Sequence, residues 1–281
     1  MLGSFYHKSI KISSFSKLVD KIWTYFFGTA DLHSHIRFRA FSKYLQHTEK
    51  NIEIGAGDGI MSFQFYLKTG KKIRAVSYEE KDYQKGLELR KKTGLKGVTF
   101  LKGDALKLSG IKRNYYDQCL LIDVLEHVSS DKLALKKINR ILKNKGYFII
   151  SVPTPRYNRD VSRHFAEIVG HVREGYYIKD LQKLLISTGF KVLDYHYYTK
   201  RIASRVCYYF YGGNLEKNKG SISSKLYNFT LKSKTAGLRR LARILKRISV
   251  PVLYLISKLD DFDSREGGSS IALLSQKYKN V

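Results

Sequence analysis

The chain has 281 residues, 43% of them hydrophobic, with 52 Lys and Arg against 24 Asp and Glu for a formal charge of +28. That length buries one sizeable core or two small ones, and no apolar run approaches the roughly 20 residues of a membrane-spanning helix. Cys119 and Cys207 stand too far apart in sequence for a disulfide framework or a zinc spacing. A reducing compartment fits, and the first 27 residues lack the continuous apolar stretch of a signal peptide. The expected location is therefore cytoplasmic. A surface this basic attracts polyanions, either nucleic acid or the anionic inner face of a membrane.

Residues 1–50 read as a helical cover with aromatic faces, including Phe5, Tyr6, Phe15, Trp23 and Phe26. Asp31 offers an N-cap signal, and Arg37 and Arg39 lie on the basic amphipathic turn that follows. Next comes Asn51-Ile52-Glu53-Ile54-Gly55-Ala56-Gly57-Asp58-Gly59, a short apolar run with an acid and then Gly at every second position. Ile60 to Leu67 reads as a helix. A strand, a Gly-rich turn and a helix N-terminus form a cradle for a nucleotide-like ligand. The dinucleotide fingerprint would need Gly at position 60, where this chain has Ile60.

Strands and helices then alternate. Strands are expected at Ile73–Tyr78, Gly97–Leu101, Tyr116–Ile122 and Gly146–Val152. Such alternation implies right-handed crossovers and a parallel sheet. Ligands bind outside the carboxyl ends of such strands, where Glu79 (with Glu80 as its neighbour) and Asp104-Ala105 fall. After the fourth strand, Asp123, Glu126 and His127 stand at i, i+3 and i+4, which on one helical turn share a face. Two carboxylates and an imidazole so placed suit Mg²⁺ or Zn²⁺. An amphipathic helix over 131–142 carries Leu133, Ile138, Ile141 and Leu142. A loop with His171 precedes a helix over 178–189 and a sixth strand from Phe190. Ser269–Gln276 reads as a final strand at an antiparallel edge.

The segment 199–268 interrupts strands six and seven. From Lys200 to Val250 it holds thirteen Lys and Arg and one acid, Glu216. Leu238, Leu241, Leu245, Ile248 and Val252 make an apolar stripe at helical spacing. Such a helix suits either a lid packed on the domain or a membrane interface.

The E-x-G-x-G-x-G pattern resembles motif I of the class I S-adenosylmethionine (SAM)-dependent methyltransferases. Asp123-Val124-Leu125-Glu126-His127-Val128 resembles a signature of those that include ubiquinone-biosynthesis O-methyltransferases. The resemblance covers residues 40–198 and the last strand. It implies a Rossmann-like seven-stranded sheet, mostly parallel with an antiparallel last strand, formed by 51–198 and 269–281. It implies SAM as cofactor, with Glu53, Gly55, Gly57 and Gly59 holding its amino-acid end. Glu79 is expected at the ribose, Asp104 and Ala105 at the adenine, and Asp123 at the cofactor. Arg37 and Arg39 are placed near the SAM carboxylate. His127 and His171 are the candidate bases. A divalent metal held by Asp123, Glu126, His127 and His171 is the other way to activate a hydroxyl.

Three functions follow. The first is O-methylation of a small or lipid-linked acceptor near a membrane surface. The second is RNA 2′-O methylation, since one small-RNA family uses an E-x-x-E-H metal site. Motifs of the amino-methylating and cytosine-C5 DNA enzymes are absent, which makes nucleic acid the weaker partner. The third is a non-catalytic SAM-binding protein that docks on membranes.

Overall fold

The computed structural model describes residues 32–156, 170–203, 251–263 and 266–281. The expected aromatic cover before residue 32, the Asp31 cap, Cys207 and most of the basic segment lie outside these residues. The described residues belong to one compact unit.

Helix α1 (Leu32–Ser42) buries Leu32, Ile36, Ala40 and Phe41, a helical stripe facing the core. Strand β1 (Asn51–Ile54) leads through the Gly turn into α2 (Ile60–Thr69). β2 (Ile73–Ser77), α3 (Glu80–Thr93) and β3 (Val98–Lys102) complete one half. β4 (Tyr116–Ile122), α4 (Asp131–Ile141) and β5 (Leu142–Pro153) begin the other. α5 (Ile178–Ser187) and β6 (Phe190–Tyr198) follow. Helix α6 (251–257) continues into a 3-10 turn, Lys258–Phe262, before β7 (Ser270–Lys277).

The seven strands run in the order β3-β2-β1-β4-β5-β7-β6. β7 is antiparallel to both of its neighbours, and the pairings from β3 across to β5 are parallel. The expected antiparallel strand is therefore real, but it lies inside the sheet, and β6 is the edge. Strand order reverses between β1 and β4, which sets the ligand crevice at their carboxyl ends. β4, β5 and β7 are buried on both faces (Leu120 and Leu121, Ile149 and Ile150, Ala272 and Leu273) because helices cover both sides.

One boundary and one buried stripe differ from the sequence reading. β5 begins at Leu142, four residues early, and its register against β4 shifts between Tyr116 and Gln118. Lys145 takes a positive φ of 61° there, so the Asn-Lys-Gly stretch forms a bulge rather than a turn before the strand. In α4 the buried stripe is Ala134, Leu135, Ile138 and Ile141, whereas Leu133 faces solvent. Ser130 sets that phase by accepting the Leu133 N–H at the helix start. Buried Lys277 fixes the end of β7 by donating to Asn114 Oδ1, Asn139 O and Leu142 O at 2.7–3.0 Å.

Candidate active site

β1 carries Glu53 to the mouth of the sheet, fully buried, where its carboxylate accepts from Ser62 Oγ on α2. Burial pushes its pKa up to about 7, and the Asp58 charge adds to this against the Ser62 hydrogen bond and Arg37. The turn after it holds Gly55, Gly57 and Gly59 at φ of 73°, 56° and 82°, which side chains adopt only with strain. A Cβ on Gly55 would meet Val124 Cγ2 at 2.4 Å, and one on Gly59 would meet Phe100 Cζ at 2.4 Å. Open space lies over Gly57. Ser77 Oγ holds Gly57 O at 2.7 Å, and Ala56 N donates to Val76 O at 2.8 Å, so β2 fixes the turn.

At the next strand tips, Glu79 is exposed where β2 meets α3. Its neighbour Glu80 pairs with Lys102 and Gln84. Asp104 follows β3; one carboxylate oxygen, Oδ1, accepts the Leu106 N–H at 2.8 Å, and Ala105 beside it is buried. These residues fit SAM. The turn is closed to side chains at Gly55 and Gly59, open over Gly57, and flanked by an acid on each successive strand.

Beyond β4 the geometry corrects one expectation. Asp123 has a φ of 52°, so it is not in helical phase with Glu126 and His127. Its carboxylate pairs with Arg37 at 2.7 Å and accepts from Ser151 Oγ at 2.6 Å. Tyr198 OH lies 2.7 Å from the same Ser151 Oγ. Glu126, His127 and His171 do come together, with ligand atoms within 4.8 Å of one another. Asp123 is thus outside the candidate metal group. Arg37 reaches the site, but Arg39 does not. It donates to Ser257 Oγ and Ser257 O at 3.0 Å, on the far side of α1.

Glu126 is 1% exposed, and its Oε2 has no hydrogen-bond partner among the described residues. Burial, then the Asp123 charge, raises its pKa well above the ordinary carboxylate range. His127 Nδ1 lies 3.1 Å from Gly170 O. A carbonyl only accepts, so Nδ1 carries the proton, and whenever the ring is neutral the lone pair is on Nε2. The His127 and His171 rings meet edge to face at 4.7 Å. Burial, and then the His127 charge, lowers the His171 pKa to about 4, so His171 is neutral at pH 7.

Arg173 holds this cluster together, and the sequence reading gave it no role. It donates to Leu125 O and Val128 O at 2.9 Å, and pairs with Asp131 at 3.1 Å and with Tyr176 OH. Val172 N adds a bond to Glu126 O at 2.9 Å. The signal was an Arg two residues after the loop histidine, but only the fold shows which carbonyls it ties. Ser62, Ser77, Ser151 and Tyr198 were also missed, since lone hydroxyls carry no spacing pattern.

Residues 52–150 match a family model described as a methyltransferase domain. No curated protein matches the sequence. Among solved structures, a protein of Galdieria sulphuraria described as a candidate sarcosine dimethylglycine methyltransferase is similar at 16% identity. That match covers 93% of this chain and 87% of the other, with a TM-score of 0.54. The [4+2]-cyclase SpnF is similar at 15% identity, 97% and 85% coverage and a TM-score of 0.54. Geranyl diphosphate methyltransferase, solved with GPP and sinefungin, is similar at 11% identity, 87% and 76% coverage and 0.53. At these identities the structures speak for the fold alone.

Proposed function

Because the chain carries a class I SAM-dependent methyltransferase domain, we propose that it methylates a hydroxyl oxygen on a small or lipid-linked acceptor. The observation that carries this reading is the position of the histidine pair beside the Gly turn. Val124 packs on Gly55, and His127 N donates to Val124 O at 2.9 Å. A base therefore sits one turn of chain from the cofactor cradle. When bound, SAM supplies an electrophilic methyl on a sulfonium whose departure leaves a neutral thioether. The protein's task is to orient the acceptor and remove its proton.

In this scheme His127 Nε2 takes the hydroxyl proton as the oxygen bonds to the methyl carbon. His171, held neutral, borders the same space and leaves the pair singly charged. Arg173 keeps the loop of His171 against Glu126. Replacing His127 with Ala is expected to lower kcat by about 10²–10⁴-fold while leaving SAM affinity unchanged.

The partnerless Glu126 Oε2 favours a second reading. A divalent cation held by Glu126, His127 and His171 would satisfy the buried carboxylate and lower the pKa of a bound hydroxyl. His127 Nε2 cannot both ligate a cation and take a proton, so the two readings exclude each other. Turnover that survives a chelator supports the base; turnover that stops and is restored by Mg²⁺ or Zn²⁺ supports the cation. Incubation with methyl-labelled SAM and separate lipid, small-molecule and RNA fractions tests the acceptor class. Label in the lipid or small-molecule fraction supports the proposed acceptor class, with base-labile or hydroxyl-blocked controls reading the atom methylated, and label confined to RNA rejects it.

A further inference from the structure

Helix α6 and its 3-10 continuation wear their hydrophobicity on the outside. Val252, Leu255, Ile256, Leu259 and Phe262 recur at helical spacing, and each is substantially exposed, Leu255 at 60% and Phe262 at 85%. The opposite face is fixed to the domain: Leu253 and Ser257 are buried. Ser257 accepts from Arg39, and the Tyr254 ring lies 5.2 Å from the Arg39 guanidinium and 5.8 Å from His35. Buried Asp260 accepts backbone N–H groups from Lys200, Ile202 and Ala203 at 2.8–2.9 Å. The helix is thus held by Leu253 and by the polar contacts of Tyr254, Ser257 and Asp260, and a second apolar stripe is turned to solvent.

We propose that this face docks on an anionic lipid bilayer, with Leu255, Leu259 and Phe262 entering the interface. Charge selects the occupant. Residues 200–263 contain fourteen Lys and Arg against four Asp and Glu. Of those acids, Asp260 is buried in its three N–H bonds and Asp261 pairs with Arg39 at 3.4 Å. Arg201 and Lys258 are exposed beside the stripe. Apolar residues entering a headgroup layer beside basic residues that attract anionic lipid form the pattern of an interfacial helix. Among the described residues no helix is long and apolar enough to cross the bilayer; the contact proposed for this face is an interfacial one.

The same helix α1 that holds α6 through Arg39 presents Arg37 to Asp123 at the cofactor site. Docking therefore anchors the element that borders the active site. The purpose of docking rests on the lipid-linked acceptor proposed above; the binding itself does not.

The test uses the full chain without SAM. It is sedimented with vesicles of phosphatidylcholine containing about a third phosphatidylserine, and with phosphatidylcholine alone. Binding to the anionic vesicles is expected, with the double variant Leu255→Asp, Phe262→Asp binding at least about tenfold more weakly. An unchanged melting temperature and SAM affinity show that the variant is folded. A Phe262→Trp variant in a Trp23→Phe background, whose only tryptophan is then at 262, is expected to be quenched by brominated lipid. Undiminished binding by the double variant, or no quenching, would overturn the proposal in favour of basic residues alone. A dimer in sedimentation velocity that the double variant dissolves, with no vesicle binding, would overturn it in favour of contact between two copies. Methyl transfer to soluble acceptors is measured separately, so its failure is distinct from failure to dock.

Discussion

A Cβ at Gly55 would stand 2.4 Å from Val124 and would also be held at a φ of 73°. Both effects act on one atom, so Gly55→Ala is expected to destabilise the site by about 1–3 kcal/mol. Calorimetric titration should show SAM affinity falling at least about tenfold. Glu53 makes a second prediction. Its pKa is raised from 4.5 to about 7, first by burial. The unfolded chain releases this proton first as pH rises, so the contribution to stability is full below about 4.5 and is lost through about pH 7. The SAM-free protein should lose up to about 3 kcal/mol over that window, and Glu53→Gln should not. Melting curves from pH 4.5 to 8 check this. The places of Glu53, the three glycines, Glu79 and Asp104 at strand tips and in the turn were legible because strand ends and Gly spacing are local signals. The turn of Asp123 toward Arg37 was not. Its positive φ comes with Ser151 and α1 contacts, which are distant in sequence.

At the scale of elements, alternation of apolar runs with Gly punctuation was enough to place β1 to β4 within a residue or two. It failed at β5, where pairing with Tyr116 draws Leu142 into the strand before the bulge. It also failed to order β6 and β7, because sequence position does not say which of two late strands lies at the edge. The root of the basic segment is the element with the clearest single support. One carboxylate, Asp260, gathers three backbone N–H groups. Charged hydrogen bonds contribute about 1.5–3 kcal/mol each, and their losses overlap when one residue is removed. Asp260→Ala is therefore expected to cost about 2–4 kcal/mol in urea unfolding, with Asp260→Asn costing less. Arg173→Ala should loosen the His171 loop, lowering kcat without lowering SAM affinity; steady-state kinetics beside a SAM titration separate the two.

Across the whole molecule, the +28 charge was visible at once, but its use was not. Composition cannot say whether basic residues surround nucleic acid, lipid or only water. The described structure adds an apolar stripe beside them, fixed to the helix that also reaches the cofactor site. Salt gives a whole-molecule check on that reading: binding to anionic vesicles should weaken from 50 to 500 mM NaCl, whereas SAM affinity, which does not rest on a field of many basic residues, should change much less.

The claim beneath all of this is that SAM lies across the carboxyl ends of β1 to β4. Titration calorimetry with SAM on the wild type and on Glu79→Ala tests it in one experiment. A single saturable site is expected, weakened at least about tenfold in the variant by loss of charged hydrogen bonds. No heat with the wild type, or equal affinity for both proteins, would contradict it.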